Sequence, residues 1–138
     1  MTDDTNLSRL QNAYHVWHDT KGASASTWLD LMSDEVGIFS MGEEAAGLSF
    51  AKDRQNKHEV VEYLTGLLAD WTMVHWTPEI YVREGDRIAM FGHTAWTNKA
   101  TGKTAETRIA HLWQFDDGKI VEFTEVFDSA RVVAASNA

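Results

Sequence analysis

Two ionisable side chains near the end of the chain, His111 and Glu125, are spaced so that they can act together. They sit in adjoining apolar stretches, 106–115 and 119–128, joined by the turn Asp116-Asp117-Gly118. A three-residue hairpin loop, with Gly118 left-handed, pairs Phe115 with Lys119. Pairing then continues with His111 opposite Phe123 and Glu125 opposite Ile109. The imidazole and the carboxylate become diagonal neighbours on one face, within reach of long side chains. A two-residue loop would send Glu125 to the opposite face from His111, so the reading depends on register. On a shared face the carboxylate orients the ring and stabilises its cation. Either group can abstract a proton next to a carbonyl or polarise the carbonyl oxygen. The alternative is a buried ion pair that only fixes the sheet. Trp113, Phe115, Phe123 and Phe127 share the face and make it aromatic.

Other polar side chains lie nearby. His93 belongs to the preceding stretch, 87–98, with Phe91 and Ala95 on its face. It either joins the pair in the pocket or packs structurally. Tyr14 follows Leu7 and Leu10 at helical spacing, so its ring is core, and its hydroxyl needs a partner that the pocket could supply. Asp128 closes the last strand, where capping or dimer contacts suit it. His15, His18, His58 and His75 have no ligand spacing, and no metal site is expected. There is no Gly-rich phosphate loop, serine-nucleophile motif or zinc-helix motif, and no cofactor is expected.

The elements that must position these groups follow from periodicity. Leu7, Leu10, Tyr14 and Trp17 make 6–19 an amphipathic helix. A short second helix carries Trp28, Leu31 and Met32. Residues 35–41 read as a short strand, and 42–55 as a loop near the pocket mouth anchored by Leu48 and Phe50. Val60, Leu64, Leu67, Leu68 and Trp71 form the buried stripe of a third helix, 56–71. Four strands follow: 72–84, 87–98, 106–115 and 119–128. Pro78 inside the first of them marks an edge or a bulge. Helices followed by strands joined through tight turns argue for α+β with antiparallel neighbours. The expected architecture is a cone-shaped half-barrel of curved antiparallel sheet with three N-terminal helices, one domain over 1–138. Met90, Trp96 and Leu112 are expected on the outer sheet face, where a homodimer would bury them.

Composition narrows the function. Six Trp and six Phe in 138 residues favour a large buried or pocket-lining surface. A net charge of −9 argues against nucleic acid and anionic membranes as partners. There are no cysteines, which removes disulfides and thiolate metal sites. The acidic N-terminus does not read as a signal peptide, and no apolar run approaches the roughly 20 residues of a bilayer span. A cytoplasmic location is the expectation by elimination.

Five segments carry a resemblance. Gly85-Asp86-Arg87-Ile88-Ala89, Thr101-Gly102-Lys103, Ala110-His111-Leu112-Trp113, Asp117-Gly118-Lys119-Ile120-Val121-Glu122-Phe123 and Phe127-Asp128-Ser129-Ala130 resemble the SnoaL-like, ketosteroid isomerase-related branch of the nuclear transport factor 2-like superfamily. That fold hosts isomerases, cyclases, dehydratases, epoxide hydrolases and non-catalytic binders. The resemblance implies that His111 and Glu125 fall where SnoaL-type polyketide cyclases carry a histidine and an acid/base aspartate; here the acid is one methylene longer. It puts Tyr14 near the oxyanion-hole tyrosine of ketosteroid isomerases. Ser40 stands at the position of their catalytic aspartate and His111 at that of their second oxyanion donor, which departs from the steroid isomerase pattern.

The expectation is therefore a pocket protein for a small apolar or aromatic ligand, performing cofactor-free acid–base chemistry (cyclisation or isomerisation) on a carbonyl compound. Glu125 is the base and His111 its partner or the oxyanion donor. Tyr14 and His93 are secondary polar contacts, and Trp113, Phe123 and Phe127 hold the substrate. The alternatives are a non-catalytic ligand-binding module and a dimeric interaction module.

Overall fold

The computed structural model describes residues 2–40 and 55–137. In chain order these form α1 (Thr2–Asp19), α2 (Ala25–Leu31), β1 (Met32–Ser40), α3 (Lys57–Asp70), β2 (Trp71–Glu84), β3 (Arg87–Asn98), β4 (Thr104–Asp116), β5 (Lys119–Phe127) and α4 (Ser129–Ser136). The five strands make one open, curved sheet in the order β1-β5-β4-β3-β2. The result is the expected α+β cone. No helix among the described residues is long and apolar enough to cross a membrane. The expected loop over 42–55, with Leu48 and Phe50, lies outside the described residues apart from Gln55, as does Met41.

The helices form where their apolar spacing demands. Leu10, Ala13, Tyr14 and Trp17 line the buried side of α1, and Val60, Tyr63, Leu64 and Leu67 that of α3. Asn56 caps α3 by accepting the Glu59 backbone N–H at 3.0 Å. Leu68 is only partly buried, Trp71 starts β2, and Met32 starts β1 rather than ending α2.

The sheet departs from expectation in two ways. β1 joins the far edge parallel to β5, so the sheet is mixed rather than wholly antiparallel. A fourth helix, α4, follows the last strand; Asp128 caps it through the Arg131 backbone N–H, and Val132 and Ala135 are buried. Pro78 lies on the edge strand β2 beside a register shift between Pro78 and Ile80. Opposite it stands Gly92; any Cβ there would collide with the backbone of Thr77 and Pro78.

The β4–β5 hairpin decides the site. Its loop has two residues, Asp117 and Gly118, with φ of 50° and 77°, and Asp116 pairs with Lys119. That loop alone would put Glu125 on the opposite face from His111. A register shift corrects this: Phe115 pairs with Ile120 but Gln114 pairs with Glu122, leaving Val121 as an extra residue. His111 and Glu125 are therefore directly opposite each other, not diagonal, and on the same face.

β3 presents the reverse of its expected faces. Met90 pairs directly with His111, which turns the even-numbered residues of β3 inward. Met90 and Trp96 are buried, whereas Leu112 is exposed on the outer face as expected. The outward apolar set comprises Ile80, Val82, Phe91, Leu112 and Val126. His93 shares Phe91's outward parity and leaves the pocket wall.

Candidate active site

Neighbouring strands deliver the two central groups. His111 from β4 is 5% exposed and Glu125 from β5 is 6% exposed. The imidazole Nε2 lies 3.5 Å from Glu125 Oε2. At that separation the carboxylate acts on the ring through its charge, without a formed hydrogen bond.

Glu125 is held from two sides. Ser40, its register partner at the end of β1, donates its hydroxyl to Oε1 at 3.0 Å. Tyr63 from α3 donates to Oε2 at 2.9 Å. The carboxylate thus has a fixed orientation, with each oxygen accepting one hydroxyl.

His111 is held from the opposite side. The Trp113 indole N–H donates to the Tyr14 hydroxyl oxygen at 2.7 Å, and that hydroxyl lies 2.5 Å from His111 Nδ1. Indole is only a donor, so the Tyr14 proton is left to donate to Nδ1. The imidazole is then the tautomer carrying its proton on Nε2, on the side facing Glu125. Burial pushes the Tyr14 hydroxyl well above its usual range, with the Trp113 hydrogen bond opposing in part, which keeps it a phenol donor. Burial also lowers the His111 pKa, with Glu125 offsetting part of the shift. The resting site therefore pairs a neutral imidazole with a carboxylate that is already anchored.

This state makes folding depend on pH. The unfolded chain protonates His111 near 6.5, whereas the folded chain resists protonation until lower pH. As pH falls through 6.5 the unfolded state binds more protons, so His111 costs stability there and nothing well above it. Urea midpoints between pH 5 and 7.5 should rise with pH more steeply in the native protein than in His111→Gln. Equal slopes would show that another group is responsible.

Tyr14, His111 and Glu125 line an aromatic cavity, together with Trp113, Phe123 and Phe127. All six tryptophans of the chain reach its wall. Trp28 stacks on Trp113 with centroids 5.0 Å apart and planes 4° from parallel; Phe123 also stacks on Trp113, with centroids 4.1 Å apart and planes 30° from parallel. About 90 Å³ is open to the centre of a water-sized sphere. One water needs roughly 10–15 Å³ on such a measure, so the space admits a larger guest. Trp76 Nε1 and His111 Nε2 are buried in this wall without a hydrogen-bond partner.

His93 is the expected site residue that the structure sets elsewhere. It lies on the outer face, with Nδ1 3.0 Å from the Glu79 carboxylate and its ring edge-on to His75 at 5.1 Å. Sequence reasoning missed Tyr63 and the part Ser40 plays on Glu125. A tyrosine within the apolar stripe of α3 was the available signal, because a buried hydroxyl needs a partner. For Ser40 the resemblance gives the position, that of the ketosteroid isomerase aspartate, but not the contact with Glu125, which depends on the parallel β1–β5 pairing.

Residues 11–123 match the family model described as a SnoaL-like domain. Among solved structures, an NTF2-like protein of unknown function from Burkholderia pseudomallei has a TM-score of 0.79 at 21% identity, over 96% of this chain and 98% of that one. TerC, crystallised with polyporic acid, has a TM-score of 0.77 at 20% identity, over 96% and 98%. IdmH from Streptomyces antibioticus, a candidate polyketide cyclase, has a TM-score of 0.70 at 18% identity, over 94% and 96%. At these identities the likeness establishes a common fold. No curated protein matches the chain.

Proposed function

Because the chain belongs to the SnoaL-like domain family, we propose that its cavity binds a small, largely apolar or aromatic carbonyl compound and that Glu125 and His111 perform cofactor-free acid–base chemistry on it. The supporting observation is an anchored carboxylate 3.5 Å from the Nε2 of an imidazole whose Nδ1 is held by the Tyr14 hydroxyl, in an otherwise aromatic wall. Glu125 takes a proton from the carbon next to the carbonyl. The C–H electron pair moves into the carbon–carbon bond, and charge develops on the oxygen. His111 Nε2–H donates to that oxygen and stabilises the enolate. Return of the proton at another carbon completes an isomerisation; attack of the enolate carbon on a second carbonyl, whose π electrons pass to its oxygen and take the proton back from Glu125, completes a cyclisation.

Tyr14 acts through His111 by fixing its tautomer, and Ser40 and Tyr63 act through Glu125 by fixing its orientation. Trp113, Phe123 and Phe127 provide flat apolar surface for the ligand body. Polyporic acid, the ligand named for TerC, and the candidate cyclase role named for IdmH agree with this chemistry. A direct test is deuterium incorporation next to the carbonyl of 1-indanone in D2O, followed by mass spectrometry. Catalysed exchange at a rate proportional to protein supports the reading. Binding of 1-indanone with recovery of unlabelled ketone would favour a ligand-binding module instead, a role suited by the burial of the acid and the imidazole.

The outer sheet face supports an assembly proposal. Phe91 (46% exposed), Leu112 (44%) and Val126 (44%) lie on adjacent strands, flanked by Ile80 and Val82. A second copy of the chain, meeting this face with its own, would cover these side chains. Light scattering should give two chains of 15.5 kDa for the native protein and one for Leu112→Asp. A monomeric native protein would remove the proposal.

A further inference from the structure

The two unsatisfied donors in the cavity wall share one demand. Trp76 belongs to β2, beyond a register shift between Met73 and His75. Its backbone N–H donates to His18 Nδ1 at 3.0 Å, and the Thr94 hydroxyl donates to the carbonyl of its neighbour His75 at 2.8 Å. The ring is stacked on Tyr14 at 6.0 Å and tilted against His111 at 5.2 Å. Of the buried polar side-chain atoms among the described residues, three lack a partner: Trp76 Nε1, His111 Nε2 and Ser24 Oγ. The two nitrogens belong to neighbouring rings of one cavity wall; Ser24 is not part of that wall.

An indole N–H can only donate. The imidazole, whose Nδ1 accepts from the Tyr14 hydroxyl, can only donate at Nε2. Both therefore lack an acceptor, and a carbonyl oxygen with two lone pairs can serve two donors. We infer that Trp76 is a ligand-binding residue whose indole N–H donates, beside His111, to the carbonyl or enolate oxygen of the bound compound. This deepens the reading of the cavity as a carbonyl site and rests on it. The pair selects ligands that present an acceptor at that point and penalises hydrocarbons of the same shape, which leave both donors unsatisfied. Two donors also favour the enolate over the ketone, since charge on the oxygen strengthens each hydrogen bond.

The test titrates the intact protein with 1-indanone and with indane, which has the same ring frame and no oxygen, following tryptophan fluorescence. The native protein should bind the ketone more tightly. Trp76→Phe keeps an aromatic ring and removes the N–H; it should weaken 1-indanone about five- to tenfold and leave indane within about twofold. Equal binding of both ligands by the native protein, including no binding of either, overturns the inference, as does equal weakening of both in the variant. If the variant does not fold, proton NMR of the native protein replaces it. The Trp76 indole proton should move downfield with 1-indanone and not with indane; an unmoved signal overturns the inference. Exchange chemistry is a separate readout. Absence of deuterium exchange with the ketone preference intact would refute Glu125 as base while leaving the Trp76 assignment standing.

Discussion

Glu125→Gln should lower deuterium exchange of 1-indanone by about 10²–10⁴-fold, the usual range for loss of a positioned general base. The substitution preserves shape and removes the ability to take a proton. The amide oxygen can still accept from Tyr63 or from Ser40, but the amide nitrogen then faces the other hydroxyl, which must turn to accept from it, so one anchoring bond reverses direction and both lose their charge assistance. That costs about 1 kcal/mol of stability, which the fold can lose without unfolding. Ligand affinity should change little, because the oxygen-binding donors belong to other side chains. A rate within about threefold of native, with binding intact, would remove Glu125 from the chemistry. Loss of rate and affinity together would instead point to collapse of the cavity.

The second large effect is structural. Trp113→Ala should destabilise the protein by about 3–5 kcal/mol, the cost of emptying a large aromatic site. For a domain of this size, that corresponds to a fall in Tm of roughly 10–20 °C. Trp113 is 3% exposed, stacks between Trp28 and Phe123, and donates to Tyr14. Trp113→Phe separates these parts. It keeps an aromatic ring in the stack and loses the N–H, so it should cost nearer 1 kcal/mol, measured by urea denaturation. If the alanine variant melts within a few degrees of native, the aromatic wall does not carry the fold in the way its burial implies.

The sequence made most of the sheet legible and hid what aims it. The bounds of β3, Arg87–Asn98, are legible because Gly85-Asp86 and Thr101-Gly102 punctuate the chain on both sides. Its two faces were not separable. Outward Ala89, Phe91 and Ala95 are as apolar as inward Ile88, Met90 and Trp96, so alternation held no sign of which side is the core. His93 faces outward, away from the pocket, and nothing in the alternation signals it. The facing of His111 and Glu125 was reached with a different loop and register. The two-residue turn and the extra Val121 each shift parity, and together they leave the pair on one wall. A bulge of this kind has no local signature, since Val121 is an ordinary strand residue. α4 is not legible in the sequence because eight residues containing Val132 and Val133 make a weak helix until they pack against the sheet.

The polar contacts around the candidate centre span most of the chain. Tyr14 and His111 are 97 positions apart, Tyr14 and Trp113 are 99, and Ser40 and Glu125 are 85. No contiguous fragment short of nearly the whole polypeptide contains all the partners. A nascent or proteolysed chain would therefore expose acid and imidazole to water as unremarkable side chains, and any reactivity would switch on only after the last strand had docked.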